Sequence, residues 1–286
     1  MKLTARSVRL ALVVCSRDNR GMSDLVQRAY ETSRGWLALG HEWIPSPHAW
    51  IVRNREVPDV YDANFAAMVR AESEPEITSL LTQLDEVFAE SEHRFVFWDA
   101  GMPQPFEARL VLEGWQRYND MVALVLEGEL RERGPRVEIR PVESDADWAT
   151  IEALHWCDHQ EEVAMGFHAA WDRAFTAAIV RAKRLKAPGV QYFLARVDGV
   201  DCGFFSAWPG KNGLGQVEDL FTLAEFRGRG IASALMAACV DDARARGAGP
   251  ILICARTEDS PKWMYAALGF RPLCVQRGYL KRVDKT

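Results

Sequence analysis

The segment that most constrains this chain is a glycine-rich turn between an apolar strand and a helix. Residues Gln216–Leu223 are predicted to form the strand, and a helix is predicted from Ile231 to about Arg246. Between them, Gly228 and Gly230 allow a ligand to approach the backbone closely. Unpaired N–H groups and the positive end of the helix dipole favour an anion at such a place. The segment therefore predicts an anion-binding turn.

The side chains of this turn leave other interpretations open. Arg227 and Arg229 would add positive charge for phosphate groups. A glycine-rich turn also serves simply to pack a helix closely on a sheet. A nucleotide-dependent oxidoreductase is a further alternative, because Gly228-x-Gly230 imitates a dinucleotide-binding turn. However, Ser233 occupies the position of the third glycine in that motif.

The second half of the chain has the pattern of one α/β unit around this turn. Its helices are predicted from hydrophobic periodicity and stop signals, and its hairpin from the turn dipeptide Asp198-Gly199. The predicted elements are a strand at Val137–Val142, helices at Asp145–Glu162 and Phe167–Leu185, a hairpin of Val190–Val197 and Gly203–Trp208, a strand at Gln216–Leu223, a strand at Ile251–Ala255, a helix at Pro261–Leu268 and a final strand pair from Leu273 to Lys281.

A charged stretch that ends in Gly134-Pro135 divides the chain. It lies between two apolar, strand-like runs and reads as a linker. The length of 286 residues suggests two domains at about 100–200 residues each. We therefore predict one domain at residues 1–134 and a second at 135–286.

The end of the first half repeats the order of elements at the end of the chain. Placing Gly114-Trp115 on Gly269-Phe270 gives an offset of 155 residues (269 − 114) and predicts a diverged internal repeat. Chance matching of two α/β segments is the alternative. The predicted elements of the first half are strands at Val8–Val14, Ala49–Arg53, Phe95–Trp98 and Met121–Leu126, and helices near Ser23–Thr32, at Ile77–Ala89 and at Glu107–Glu113.

The composition indicates the cellular compartment of the protein and excludes some classes of binding partner. The net charge is −5, from 35 Lys and Arg against 40 Asp and Glu, which excludes a chain-wide basic footprint for nucleic acid or an anionic membrane. The six cysteines are dispersed without a CxxC pair, which is typical of reduced thiols in a cytosolic protein. No apolar run approaches the roughly 20 residues needed to span a bilayer. We expect a cytoplasmic protein, and its oligomeric state is left open.

Two motifs together resemble one enzyme family. Arg227-x-x-Gly230-x-Ala232 follows a strand, and Tyr265-Ala-Ala-Leu-Gly269-Phe270 follows one strand and one helix later. This pairing resembles the GNAT family of acyl-CoA-dependent N-acetyltransferases, and the resemblance covers Val137 to about Arg282. It implies a mixed, mostly antiparallel sheet flanked by helices, so the fold class is α/β (α+β).

The first half resembles at best a degenerate copy of the same fold. At the offset of 155 residues, Arg227 falls on Glu72 and Tyr265 falls on Leu110. A glutamate has the wrong charge for a phosphate, and leucine carries no proton to donate. The arrangement of the whole chain resembles tandem GNAT proteins, with a first domain of unknown role.

The resemblance implies roles for individual residues. Leu220, Phe221 and Thr222 match the strand whose backbone binds the pantetheine arm of acetyl-CoA. Tyr265 matches the general acid that protonates the departing thiolate, although a tyrosine that only packs a helix against a sheet would look the same. The turn around the pyrophosphate is matched by Arg227, Gly228, Arg229, Gly230, Ile231, Ala232 and Ser233.

Glu218 is the predicted general base. Strand alternation places Gln216, Glu218, Leu220 and Thr222 on one face and Asp219 on the other. The amide of Gln216 cannot accept a proton, so Glu218 is chosen, acting directly or through a water molecule. A carboxylate that orders the substrate or pairs with an arginine is the alternative.

Two further patterns bear on the acceptor and on metals. His155 and His159 stand at i, i+4 on a helix, but a plain helix face is favoured over a metal pair, and no metal is predicted. Seven carboxylates and no Lys or Arg occur from Pro141 to Met165, which indicates either a solvated helix or a surface that attracts cations.

The resulting functional prediction is acetyl transfer from acetyl-CoA to a primary amine of a small cationic molecule, by direct attack. A non-catalytic acyl-CoA sensor is the alternative from another class, and it predicts CoA binding without turnover.

Overall fold

The computed structural model describes residues 19–166, 172–187 and 189–283. Within this range the first half of the chain forms three helices and five strands. They are α1 (Asn19–Ala38), β1 (Glu42–Ile44), β2 (Trp50–Arg53), β3 (Phe65–Ala67), α2 (Glu74–Val87), β4 (His93–Trp98), α3 (Gln104–Leu112) and β5 (Gln116–Leu126).

The second half forms four helices and six strands in the same described ranges. They are β6 (Glu138–Pro141), α4 (Asp145–Ala164), α5 (Arg173–Arg184), β7 (Gln191–Val197), β8 (Val200–Trp208), β9 (Gly215–Thr222), α6 (Ile231–Ala245), β10 (Ile251–Arg256), α7 (Pro261–Leu268) and β11 (Arg271–Arg282).

The strands form a single mixed sheet with helices on both faces. Side chains alternate between the faces along each strand, so neighbouring residues enter different cores. Phe204 packs in the core beneath α1, α4 and α5, whereas Phe205 packs in the core beneath α6 and α7. Helices α2 and α3 cover the first half on the same side as α6 and α7.

The two halves exchange their last strands within this sheet. The strand order is β1-β2-β3-β4-β11-β5-β10-β9-β8-β7-β6. Strand β11, from the end of the chain, is antiparallel to both β4 and β5. Strand β5, from the first half, is antiparallel to β10 and separates it from β11. The sheet therefore runs across the boundary at residues 134 and 135, and that boundary stays a prediction.

Strands β9 and β10 diverge soon after they begin. They are parallel, and they pair only at Ile251 with Gly215 and at Leu252 with Gln216. Beyond Gln216, β10 no longer pairs with β9, so main-chain groups on that edge are open to a ligand. The equivalent strands of the first half, β3 and β4, pair only at Ala66 with Val96.

The repeat at 155 residues is visible in the geometry. The order β3-α2-β4-α3-β5 matches β9-α6-β10-α7-β11. Gly114 and Gly269 end α3 and α7 with φ angles of 80° and 110°. The N–H of Trp115 donates to the carbonyl of Leu110 at 3.0 Å, and that of Phe270 donates to Tyr265 at 3.0 Å. The same helix ending thus recurs at the predicted offset, which favours a repeat over chance.

The structure corrects the sequence-based elements in several places. The predicted final strand pair is wrong, because β11 is one continuous strand with two register shifts against β5. Strands β1 and β3 were not predicted, and their three residues each give little periodic signal. The predicted strand at Val8–Val14 and residues 167–171 of the predicted helix lie outside the described residues. In the part of the chain that is described, no helix is long and apolar enough to cross a membrane.

We expect the exchanged strands to make both halves unfold together. Gly278 on β11 has no room for a side chain, because an added Cβ would lie 2.5 Å from Phe95 Cζ on β4. Gly278→Val should therefore destabilise the protein by about 1–3 kcal/mol. Urea unfolding followed by fluorescence and by circular dichroism should still show one coincident transition.

Gly128→Val is the matched control, since a Cβ at Gly128 meets nothing within 4 Å. If Gly278→Val lowers the stability of one half and splits the transition in two, the halves are independent folding units.

Candidate active site

A β-bulge in β9 determines where the candidate catalytic side chains point. The pairing of β8 with β9 shifts register between Phe204 and Ser206, and Asp219 adopts a φ of 71°. As a result, Glu218 and Asp219 both line one cavity, beneath α1 and α5. The expectation that Asp219 faces away from Glu218 is therefore wrong, because the bulge interrupts the alternation on which it rested.

The bulge also separates residues that were expected on one face. Leu220 packs against the core of α6 and α7, whereas Gln216 and Glu218 line the cavity on the opposite side of the sheet. Thr222 lies near α6 as well. A Cβ added at Gly203 would lie 3.3 Å from Thr222 Oγ1 and 3.4 Å from Cδ1 of Leu235, which is a residue of α6. Of the predicted set, only Gln216 and Glu218 share the cavity face.

Glu218 is half-buried, and its carboxyl has an altered pKa. Burial, reinforced by the charge of Asp219, raises the pKa of Glu218 to about 8. Hydrogen bonds from Gln216 Nε2, at 3.0 Å, and from the backbone of Cys254 oppose this shift. A carboxyl with a pKa near the working pH is suited to act as a general base.

Asp219 is held by two side chains that the sequence did not single out. Lys183 on α5 forms an ion pair with it, and the Tyr192 hydroxyl donates to Asp219 Oδ2 at 3.1 Å. Burial, together with the charge of Asp219, raises the pKa of Tyr192 well above its usual value. No local sequence signal identifies a positive φ at an aspartate, so this contact set could not be found before the fold.

Tyr265, the predicted general acid, lies on α7. It is 5% exposed on α7 and packs against Phe270 and the α6 core. Burial, followed by the charges of Glu218 and Asp259, raises the pKa of Tyr265 above its usual value. The phenol therefore stays protonated at neutral pH, as a proton donor must be.

The glycine-rich turn has the predicted backbone geometry. Gly228 and Gly230 adopt φ angles of 74° and 76°, a left-handed conformation that L side chains rarely adopt. Gly230 is the residue at the N-terminus of α6, and Ile231, Ala232 and Ser233 form the first helical turn. The N–H groups of a first helical turn have no acceptor within the helix, so they can bind an anion.

The two arginines of the turn differ in their surroundings. Arg227 Nε donates to the carbonyl of Thr222 at 2.8 Å, and the guanidinium also pairs with Glu161 on α4. Arg227 thus fastens the turn to the end of β9 and to α4. Arg229 lies over the Phe226 ring at 5.0 Å from its centroid.

The predicted linker packs directly on this turn. An added Cβ at Gly230 would lie 2.5 Å from Pro135 Cδ, and one at Gly134 would lie 2.7 Å from the backbone nitrogen of Ala234. Close approach of the two backbones therefore requires both glycines. At Gly228, by contrast, an added Cβ meets nothing within 4 Å.

The three predicted pantetheine residues lie along the open edge of β9. Phe221 is buried in the core beneath α4, and Leu220 packs toward α6. The hydroxyl of Thr222 is buried and has no hydrogen-bond partner among the described residues. An unpaired buried hydroxyl and an uncovered strand edge are compatible with an extended ligand that carries amide groups.

The acidic stretch is largely neutralised by arginines from other elements. Four of its seven carboxylates form ion pairs, so the negative field expected at the cleft is weaker than their number suggests. The pairs are Asp145 with Arg184, Asp147 with Arg140, Glu161 with Arg227, and Glu162 with Arg256.

The histidine pair on α4 belongs to the core. His155 and His159 are buried, and His155 packs against Phe204 at 4.8 Å between ring centroids. His159 Nδ1 lies 2.8 Å from Thr176 Oγ1. Throughout residues 19–166, 172–187 and 189–283, no group of three or more His, Cys, Asp or Glu residues could hold a metal ion.

Comparisons with known proteins identify the fold. Residues 148–270 match the model of the acetyltransferase (GNAT) family. A GCN5-related N-acetyltransferase from Kribbella flavida has a TM-score of 0.61 at 16% identity, covering 92% of this chain and 94% of that chain. A tandem GNAT protein from the clavulanic acid biosynthesis pathway has a TM-score of 0.56 at 13% identity, covering 94% of this chain and 97% of that chain.

A conserved protein of unknown function from Staphylococcus epidermidis is also similar, with a TM-score of 0.63 at 16% identity over 85% of this chain and 95% of that chain. The comparison with curated proteins gave no match. The predicted GNAT fold and the tandem arrangement are therefore confirmed.

The raised pKa of Glu218 predicts that the difference in stability between wild type and Glu218→Gln depends on pH. The folded protein holds the Glu218 proton up to about pH 8, whereas the unfolded chain loses it near its usual pKa of 4.5. Stability from this group is thus greatest below the unfolded pKa and is lost as the pH rises through about 8. Relative to wild type, Glu218→Gln should gain stability as the pH rises from about 6 to about 9.

Urea unfolding at several pH values measures this difference, with the exposed Glu152→Gln on α4 as the control. A difference between Glu218→Gln and wild type that stays constant over the range would mean that Glu218 titrates normally.

Proposed function

We propose that this chain, which contains a GNAT domain at residues 148–270, transfers the acetyl group of acetyl-CoA to a primary amine of a small molecule. The observation that carries the proposal is the divergence of β9 from β10 beside the glycine turn, together with the raised pKa of the Glu218 carboxyl and the protonated phenol of Tyr265. An uncovered strand edge, an anion-binding helix start, a base and an acid are the four parts that this reaction needs.

The residues that would hold acetyl-CoA are those of the turn and of the open edge. The N–H groups of Gly228 through Ser233 suit the pyrophosphate, with Arg229 adding positive charge. The main chain of Leu220, Phe221 and Thr222 suits the amides of the pantetheine arm. An N–H on the same edge would stabilise the charge that develops on the thioester oxygen during attack.

The chemistry is a direct attack with two proton transfers. The free amine bonds to the carbonyl carbon of the thioester, and Glu218 takes the proton that the nitrogen loses. As the new C–N bond forms, the C–S bond breaks, and the thiolate takes a proton from the hydroxyl of Tyr265. Binding donor and acceptor in one cleft supplies much of the rate enhancement.

The acceptor is proposed as an amine on the basis of Glu218. Four of the seven carboxylates that would attract a small cationic molecule are paired with arginines, which weakens the negative field at the cleft. We also propose a cytoplasmic location, because all five cysteines of the described residues are free thiols.

Placing a negative charge in the turn should weaken acetyl-CoA binding. Gly228→Asp is expected to raise the Kd at least tenfold, about 1.4 kcal/mol, because the carboxylate would repel the phosphates. Gly228→Asn is the matched control, since asparagine has the same shape, tolerates the left-handed conformation and carries no charge. Calorimetric titration with acetyl-CoA measures both variants, and equal affinities would exclude the turn as the phosphate site.

Removing the phenolic hydroxyl should lower turnover without affecting binding. Tyr265→Phe is expected to reduce kcat by about 10²–10⁴-fold and to leave the Kd for acetyl-CoA unchanged, because only a proton donor is lost. Tyr279→Phe is the control, since that hydroxyl bonds Glu107 in the first half. The rate of CoA thiol release with a panel of amines measures the effect.

A loss of less than threefold in Tyr265→Phe would make Tyr265 a packing residue. Wild-type protein that binds acetyl-CoA but releases no CoA with any amine would instead be the non-catalytic sensor.

A further inference from the structure

A cavity of about 150 Å³ lies on the face of the sheet that carries Glu218. Its floor is formed by Gln216, Glu218 and Asp219 on β9. Its roof is α1, which comes from the first half and contributes Arg34 and Trp36. Neither half alone encloses this space, so the first half shapes the place from which an acceptor would reach Glu218.

Several polar atoms on this cavity's lining residues are buried without a partner. Within the described residues, no hydrogen bond reaches Arg34 Nη2, Trp36 Nε1, His41 Nε2 or Gln216 Oε1. Leaving such groups unpaired costs about 1–3 kcal/mol each, so a bound ligand that pairs them would be favoured. Two of these atoms, on the α1 side, are obligate donors, and the one on β9 is an acceptor.

Arg34 is the most costly of these groups. It is 4% exposed, and its guanidinium lies 3.7 Å from the centroid of the Phe97 ring. The ring satisfies one face of the cation but offers no hydrogen-bond acceptor at its edge. Asp62 also lines the cavity, and Asp99 is already held by Arg70 at 3.1 Å. A buried guanidinium whose Nη2 has no partner among the described residues is suited to donate to a carboxylate.

The overall charge of the lining also favours an anionic group. Three basic side chains, Arg34, Lys183 and Lys186, face three acidic ones, Asp62, Glu218 and Asp219. The lining is balanced when Glu218 is ionised and ready to take the amine proton, and it carries one positive charge in excess when Glu218, with a pKa of about 8, holds a proton. The ion pair of Lys183 with Asp219 is internally neutral. The excess therefore lies toward α1.

The size of the cavity limits the ligand. At about 30 Å³ for each water molecule, 150 Å³ corresponds to roughly five waters, or about ten non-hydrogen atoms of a compact ligand. The part of an acceptor that this cavity encloses is therefore small. Apolar walls from Leu37, Phe97 and Ile179 would accept a short hydrocarbon side chain.

We propose that the acceptor is a small amino-carboxylate whose carboxylate binds Arg34 on α1 while its amine faces Glu218 on β9. The inference rests on the proposed acetyl transfer, since it names the acceptor of that reaction. It also gives the degenerate first half a role, which is to provide the group that selects the acceptor.

The test uses the full chain and matched sets of amines. Each set contains an amino acid, its amide and the amine that lacks the carboxyl group: leucine with leucinamide and 3-methylbutylamine, valine with valinamide and isobutylamine. CoA thiol release gives kcat/KM for each compound. For at least one amino acid, kcat/KM should be at least tenfold higher than for its own amide and its own amine. This order is expected even though the amide is less basic and is present to a greater extent as free amine.

Variants of residues on α1 then test which side chain causes the preference for a carboxylate. In Arg34→Gln the ratio of kcat/KM for the amino acid to kcat/KM for its amide should fall at least tenfold, mainly because KM for the amino acid rises. Arg34→Lys should restore part of this ratio. Trp36→Phe, which keeps a ring but removes Nε1–H, should lower the ratio by a smaller factor. Arg28→Gln is the control on the same helix, because Arg28 pairs with Asp24 and does not line the cavity.

The possible outcomes separate the two proposals. If amines are acetylated but no carboxylate compound is preferred over its amide, the amino-carboxylate inference is wrong and acetyl transfer stands. If no compound in any set releases CoA from protein that binds acetyl-CoA, the proposed function itself fails. The wild-type comparison decides the inference even if Arg34→Gln does not fold.

Discussion

The exchange of terminal strands is the constraint on which the rest of the structure depends. Because β11 pairs with β4 and β5, and β5 pairs with β10, both halves share one continuous sheet. Main-chain hydrogen bonds across these pairs fix the halves in one relative orientation. That orientation places α1 over the face of β9 that carries Glu218. The candidate acceptor cavity is therefore a consequence of strand pairing between residues more than a hundred positions apart.

Two local departures from regular sheet geometry create the candidate active site on this framework. The divergence of β9 from β10 uncovers a strand edge, and the bulge at Asp219 aims two successive acidic side chains into one cavity. A regular strand would send Asp219 to the opposite face and leave Lys183 without its partner. The irregularity is stabilised by that ion pair and by the Tyr192 hydroxyl, so the surrounding fold holds the strained residue in place.

The two copies of the repeat differ in the residues at the start of their equivalent helices, α2 and α6. The second copy has the glycine turn, with left-handed Gly228 and Gly230, and the tyrosine on α7. At the start of the corresponding helix α2 of the first copy, the Glu76 carboxylate accepts hydrogen bonds from the N–H groups of Glu72 and Ser73. A carboxylate thus lies at the start of that helix, and the first copy contributes to the candidate site through α1 instead.

The sequence by itself determined the elements whose signals are local. Helix α7 has the predicted bounds, Pro261–Leu268, because a proline begins it and a glycine ends it. The turn at Gly228 and Gly230, the helix ending at Gly114 and the choice of Glu218 as the candidate base could all be inferred from spacing or resemblance. Only the tertiary structure decided the strand exchange, the bulge at Asp219 and the burial of Arg34, since each depends on contacts between distant segments. Periodicity reports which face of an element is apolar, but it carries no information about which strand lies beside it or which charge is enclosed.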